Sequence, residues 1–313
     1  MSSPGELHVI FGAGPVGQAL MHELLARGRR VRIINRSGVL AAPAGAEVLA
    51  GNATDPATTR ACCAGAAVVY NCTNAPYTAW PEQFPPLQAG VLAGAAAVGA
   101  KLVVMDNLYM YGPTGGRPLT EDLPAATTTR KGRTRARMAA DLLAAHDRGE
   151  VRVAIGRASD FFGPLVRESA AGVRMFAPAL AGKPALVTGK PDLPHTYSYI
   201  PDIARGLAIL GEHDAALGQA WHLPSAPTVT TRAFVDLVFA AAGHAPRLQA
   251  LPGLLVRGLG LFNPMLRELA EMMYEFEEPF IVDHTKFARA FGDHATPLPA
   301  AIRTTLEWYR QAG

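Results

Sequence analysis

The stretch from Leu7 to Gly28, LHVIFGAGPVGQALMHELLARG, limits what this chain can fold into more than any other. Leu7 to Phe11 is a short apolar run of the kind that forms a strand buried on both faces of a parallel sheet. Gly12, Gly14 and Gly17 follow as G-x-G-x-x-G, and Val16, Leu20, Leu24 and Leu25 then recur at helical spacing. Each glycine answers a separate demand: a tight turn, close approach of backbone to a pyrophosphate, and tight packing of helix on strand. The helix start adds free N–H groups and the positive end of the helix dipole. A second strand, Val31 to Ile34, completes the unit. The unit predicts a bound dinucleotide; the plainer alternative is a structural glycine turn.

The residues after that second strand bear on which dinucleotide. An NAD site places a carboxylate here to accept hydrogen bonds from the ribose 2′-hydroxyl. This chain has Asn35, Arg36 and Ser37 instead. A guanidinium and a hydroxyl suit a 2′-phosphate through charge-assisted hydrogen bonds, so the expectation is NADP(H) in preference to NAD(H). The alternative is that Arg36 is an ordinary exposed loop residue.

With 313 residues, 49% hydrophobic and 18% charged, the chain has ample material for a core in one large or two modest domains. A net charge of +3 gives no reason to expect a nucleic-acid or membrane partner. The opening MSSPGELH lacks a basic region followed by an apolar core, so no secretory leader is expected. The alanine-rich 89–100 stretch is broken by three glycines and falls short of a membrane span. Cys62, Cys63 and Cys72 cannot all pair; they read as small buried hydrophobes in a reducing compartment, which points to the cytoplasm.

The first half of the chain alternates strand and helix patterns. Further strands are expected at Glu47–Ala50, Ala67–Asn71, Leu102–Met105 and Val151–Ile155. Helices are expected near Asp55–Ala64 with a Thr54 or Asp55 cap, over Tyr77–Val98 with a break at Pro85-Pro86, and over Gly132–His146. This predicts an α/β fold, a Rossmann-type doubly wound parallel sheet with its ligand crevice at the carboxyl ends of the strands. In the second half, proline and glycine punctuate loops at 162–164, 181–184 and 189–194, and helices follow near 202–211, 231–242, 264–276 and 297–311. A smaller, mostly helical C-terminal substrate lobe is expected. Residues 1–160 with 195–223 would form the dinucleotide-binding part, and 161–194 with 224–313 the lobe.

Several further segments carry a resemblance. They are Gly51-Asn52-Ala53-Thr54-Asp55, the strand Val68–Asn71 ending in Cys72 and Thr73, and Met110-Tyr111-Gly112. Arg157-Ala158-Ser159-Asp160-Phe161-Phe162-Gly163-Pro164 and Tyr199-Ile200-Pro201-Asp202-Ile203-Ala204 follow. With the glycine turn they resemble, in order and over most of the chain, the motifs of the extended short-chain dehydrogenase/reductases, which include NAD-dependent epimerases and dehydratases. Among the motifs matched are the adenine-side G-D-x-x-D, the V-Y-G, the R-P-x-N-x-Y-G-P and the H-V-D-D-x-A. The resemblance implies that Gly12, Gly14, Pro15, Val16, Gly17, Asn52, Cys72, Thr73 and Ala158 join Asn35, Arg36 and Ser37 around the cofactor. It also implies Asp160 at the substrate and a homodimer formed through the 77–98 and 132–146 helices; Tyr197 and Tyr199, an i, i+2 pair, are expected near the crevice from their spacing.

The family's catalytic signature is altered. Its members carry a serine or threonine four residues before the V-Y-G tyrosine, then Y-x-x-x-K on a helix. Here Asn107 takes the serine position. The register Arg133-Thr134-Arg135-Ala136-Arg137, with Asp141 four further on, puts Arg133 and Arg137 in place of tyrosine and lysine. A shift to Lys131-x-x-x-Arg135 does not restore the tyrosine. Arginine does not give up its proton in proteins, so another group must supply one. Asn107 has an amide for a substrate carbonyl, and Tyr109, two residues on in an extended segment, faces the same way. Tyr109 is the expected replacement acid; alternatively its ring packs against the second lobe. Arg133 and Arg137 would clamp ribose or an anionic substrate, or else belong to a solvated helix start. Asp160 would favour a donor-bearing substrate or act as a cap, and His195 reads as a solvated loop residue.

Met272 to Phe280 reads as core rather than pocket, and no residues stand at metal-ligand spacing, so no metal is expected. The chain is expected to be an enzyme, an atypical NADP(H)-dependent oxidoreductase reducing a carbonyl or activated double bond on a small, largely apolar molecule. The alternatives are a nucleotide-sugar epimerase or dehydratase, and a redox sensor that binds NADP(H) without turnover.

Overall fold

A computed structural model describes residues 5–312. Met1–Pro4, the start of the segment read for a leader, and Gly313 lie outside them. Seven parallel strands form the central sheet: β1 (Leu7–Phe11), β2 (Arg30–Asn35), β3 (Ala46–Ala50), β4 (Ala66–Asn71), β5 (Lys101–Asp106), β6 (Arg152–Arg157) and the strand Gln219–His222. Their order is Gln219–His222, β6, β5, β4, β1, β2, β3. The order reverses between β1 and β4, which opens a crevice at the carboxyl ends of those two strands.

Every residue of β1 is buried, and its side chains alternate between two cores. Ile10 joins Leu20 and Leu24 of α1 (Pro15–Ala26) and Leu207 of the helix Ile200–Glu212 on one face. Val9 and Phe11 join the other face, covered by α2 (Pro56–Cys63), α3 (Trp80–Ala97) and α4 (Arg130–Asp147). Full burial of one such leucine contributes about 1.5–3 kcal/mol, so covering both faces holds the three layers together. Asp55 caps α2, its carboxylate accepting from the Ala57 and Thr58 N–H groups at 3.2 Å each.

The expected break at Pro85-Pro86 does not occur; α3 runs through both prolines. The carbonyls those prolines leave without a donor belong to Pro81 and Glu82 in the first turn, and Glu82 is an exposed residue. The C-terminal lobe builds a separate core. Helices Val173–Leu180, Thr231–Ala242 and Leu298–Ala312 close around Phe162, Phe176, Phe234 and Ile302. Val173–Leu180 forms in the loop-rich stretch, and the helix expected over 264–276 divides into Pro264–Glu271 and Tyr274–Glu277. No helix among the described residues is long and apolar enough to cross a membrane.

One extended segment ties the lobe to the sheet. Phe280 N–H donates to the Pro194 carbonyl and Phe280 O accepts from Thr196 N–H, each at 2.9 Å. Leu119, beyond β5, donates to Ile281 O at 2.7 Å and accepts from Asp283 N–H at 2.9 Å.

Candidate functional site

The crevice begins at the glycine turn. Gly12 has φ +104°, and a Cβ there would lie 2.4 Å from the Cys72 carbonyl oxygen. A Cβ on Gly17 would lie 1.9 Å from the Gly12 oxygen. Both positions therefore require glycine, one for conformation and one for helix–strand approach. A Cβ on Gly14 meets nothing within 4 Å, so open space lies over the turn. No side chain caps α1 there, and Pro15 occupies its first turn. The open space, the uncapped N–H groups and the absence of an acidic residue in the first turn fit a pyrophosphate. Val16 is buried in the core and supports the turn by packing.

Asn35 shapes the loop after β2. Its Oδ1 accepts from Gly38 N–H at 2.6 Å and from the Ser37 hydroxyl at 3.1 Å, and its Nδ2 donates to Val39 O at 2.9 Å. Asn35 and Ser37 are thus committed to each other, and Arg36 projects exposed between them. Asn52 closes a turn on Thr54, accepting from its N–H at 3.1 Å and its hydroxyl at 2.9 Å. The Thr73 hydroxyl donates to Asn71 Oδ1 at 2.7 Å, Cys72 is half-buried beside Gly12, and Ala158 is buried at the end of β6. Burial pushes the Cys72 thiol up to about 12, which leaves it un-ionised at neutral pH.

Helix α4 is turned differently from its sequence reading. Its buried stripe is Lys131, Arg135, Met138, Leu142 and Ala145, whereas Arg133 and Arg137 are exposed. The expected clamp by Arg133 and Arg137 is therefore not formed; the Arg133 guanidinium turns back to the Thr128 carbonyl. Charge compensation from distant segments allows the inward register. Lys131 is fully buried, bonded to Glu268 and, at 3.3 Å, to Glu271, with its ammonium 4.4 Å from the Tyr77 ring centroid. Arg135 Nε donates to Asp106 Oδ1 at 2.7 Å. Arg157 Nε reaches Asp106 Oδ2 at 3.3 Å and its Nη1 donates to the Tyr111 hydroxyl at 2.7 Å. Tyr111 meets His222 Nε2 at 2.7 Å, and burial pushes that imidazole down to about 4. This chain of groups fixes the ends of β5, β6 and the strand Gln219–His222 beneath the crevice.

Above it lies a second polar group. The segment after β5 is not extended: Asn107 Oδ1 accepts from Tyr109 N–H at 3.1 Å, which folds the chain into a turn. The Asn107 amide oxygen is thereby occupied, its Nδ2 being the group left for a carbonyl, and the turn takes the two side chains out of the alternation of an extended segment. The Tyr109 ring stacks on Trp80 with centroids 5.5 Å apart, and its phenol hydrogen-bonds that of Tyr77. Burial raises both phenols above the ordinary tyrosine range, so each remains a neutral donor. Asp160 bonds His195 Nε2 at 2.7 Å. His195 is buried rather than solvated, with Phe276 and Phe280 on its faces. Glu275, which the sequence reading passed over, is buried near Asp160, Tyr77 and Tyr109. Its one sequence signal is its place three residues after the buried Met272, on the apolar side of the segment. Tyr197 and Tyr199 lie in the lobe core, Tyr197 bonding Thr231 at 2.8 Å and Tyr199 packing on Phe162. They follow the lobe's apolar interior rather than the crevice.

The model of the NAD dependent epimerase/dehydratase family matches residues 9–223. The chain belongs to this family. No curated protein matches it. Among solved structures, this family member is similar to an epimerase from Methanothermobacter thermautotrophicus, at 17% identity and TM-score 0.81, over 98% of this chain and 93% of that one. It is also similar to dTDP-glucose 4,6-dehydratase from Bacillus anthracis in complex with NAD, at 15% identity and TM-score 0.78, over 98% and 97% of the two chains. A third is UDP-glucuronic acid 4-epimerase from Bacillus cereus in complex with UDP-glucuronic acid and NAD, at 16% identity, TM-score 0.78 and 98% and 100% coverage. These likenesses establish the epimerase/dehydratase-type fold. In this epimerase/dehydratase-family chain the inward pair at Y-x-x-x-K spacing is Lys131 and Arg135, and each is already held by carboxylates.

Proposed function

We propose that the protein is an NADP(H)-dependent oxidoreductase that reduces a carbonyl or activated double bond on a small molecule. The observation that carries this reading is the glycine turn: Gly12 and Gly17 have no room for a side chain, whereas Gly14 faces open space. Family membership supports a nicotinamide dinucleotide, and the complexes of the Bacillus neighbours contain NAD. Arg36 supports the phosphorylated form. It is exposed at the end of β2, and the loop around it contains no carboxylate to serve a ribose 2′-hydroxyl.

When bound, a reduced nicotinamide supplies hydride. The chain's own residues orient the acceptor and handle its oxygen. Tyr109 and Tyr77 form a neutral phenol pair suited to donating a hydrogen bond to a carbonyl oxygen, and the stacked Trp80 fixes the ring of Tyr109. Lys131 and Arg135 are tied to Glu268, Glu271 and Asp106, which argues against the family's tyrosine–lysine proton transfer and hence against sugar oxidation by that route.

Calorimetric titration tests the reading. NADPH is expected to bind at least tenfold more tightly than NADH, and Arg36→Ala to erase that difference, a loss of about 1.5–3 kcal/mol for a charge-assisted contact. Equal affinity for the two cofactors in the parent protein would remove the NADP(H) assignment. Failure to bind either would remove the oxidoreductase reading.

A further inference from the structure

Glu275 is only 3% exposed, and its Oε1 has no hydrogen-bond partner. No lysine, arginine or histidine among the described residues pairs with it; the charged group facing it is Asp160. Tyr77, Tyr109 and Tyr274 lie close enough to feel its charge, and the buried Tyr274 hydroxyl is likewise without a partner. Asp160 is held by His195 at 2.7 Å and remains 19% exposed at its side chain. The nearby cation, Lys131 over the Tyr77 ring, is committed to Glu268 and Glu271. A carboxyl removed from water, beside another carboxylate and without a counter-ion, keeps its proton; both causes act upward on Glu275.

We propose that Glu275 is the proton donor of this site, its acid O–H serving the oxygen of a carbonyl substrate in the role the family gives to a tyrosine. This rests on the reductase reading above. The carbonyl carbon gains hydride from the reduced nicotinamide and the oxygen gains the Glu275 proton. The C=O π bond breaks, C–H and O–H bonds form, and an alcohol, the oxidised cofactor and the Glu275 carboxylate result. The carboxylate regains a proton from solvent by way of Asp160, the partly exposed member of the cluster.

Glu275→Gln, which matches the neutral acid in shape, tests this by two routes. The first is unfolding of the parent and variant across pH. The folded parent holds a proton that the unfolded chain releases above about pH 4.3. Its contribution to stability is therefore complete below that pH and is lost as pH rises. Relative to the parent, the glutamine variant is expected to gain stability steadily as pH rises above about 4.3, and to show no such trend below it. In an Asp160→Asn background that gap should shrink. The second route is NADPH-dependent reduction of benzaldehyde, cyclohexanone and 2-cyclohexenone, with cofactor binding measured in parallel. Glu275→Gln should bind NADPH like the parent and lose about 100-fold or more in kcat. A stability difference independent of pH, or variant turnover equal to the parent's, overturns the proposal while leaving the reductase reading in place. A parent that binds no NADPH or reduces none of the probes overturns both.

Discussion

Gly17→Ala is expected to abolish dinucleotide binding and to destabilise the fold, whereas Gly14→Ala should abolish binding alone. The added methyl at position 17 would sit 1.9 Å from the Gly12 oxygen, and that atom belongs to backbone pinned by the Gly12 N–H bond to Ile34 O at 2.9 Å. Neither side can yield cheaply, so the start of α1 must back away from β1. Such overpacking costs about 1–3 kcal/mol, and displacing the helix N-terminus by about 1 Å is enough to weaken a positioned contact about 100-fold. At position 14 the methyl meets no protein atom within 4 Å and projects instead into the space assigned to the pyrophosphate. Calorimetry and urea unfolding on the two variants separate these effects. A Gly14→Ala protein with the parent's affinity would place the phosphates elsewhere.

The second large effect is expected at Asp106. Its carboxylate lies 4% exposed between two guanidiniums, those of Arg135 and Arg157, which are themselves 4% and 7% exposed. Asp106→Ala leaves two like charges buried together, and the Tyr111–His222 pair supplies no anion to compensate because burial pushes the Tyr111 phenol up to about 12. A loss of about 3–5 kcal/mol follows from removing one partner of a buried ion pair. The Arg148–Glu150 pair, at 2.6 Å but with side chains 57% and 47% exposed, is the contrast. Breaking it should change stability far less, because solvent screens the pair. Urea unfolding of both variants checks the ranking; a small loss for Asp106→Ala would mean that water reaches the network.

The opening unit was legible because its information is local. Turn and helix spacing in Leu7–Gly28 lie within one strand and one helix, and the alternation that follows repeats the pattern. The register of α4 was not legible for the opposite reason. Its alanines mark no clear apolar stripe, and the acids that make burial of Lys131 and Arg135 tolerable are Glu268, Glu271 and Asp106, far away in sequence. His195 likewise looks solvated until Asp160 and the two flanking phenylalanines are brought beside it. Pro85 and Pro86 misled because a proline's cost depends on whether the freed carbonyl meets water, which sequence alone does not report.

The segment from Phe276 to Asp283 also acts as a ruler. It is fastened at one end, where Phe276 O accepts from Lys190 N–H at 2.9 Å, and again where Phe280 meets Pro194 and Thr196 and where Ile281 and Asp283 meet Leu119. These fastenings are made by backbone; side chains add Arg257 donating to Glu277, Gly115 N–H donating to Glu278 and Val282 N–H donating to the Thr196 hydroxyl, so the segment's length is fixed more firmly than its sequence. One residue added or removed between Phe276 and Phe280 would shift Glu275 against His195 by about 3.3 Å, a whole strand residue, or tear the lobe from the sheet edge. Substitution here would tune the pocket, and a change of length would dismantle it.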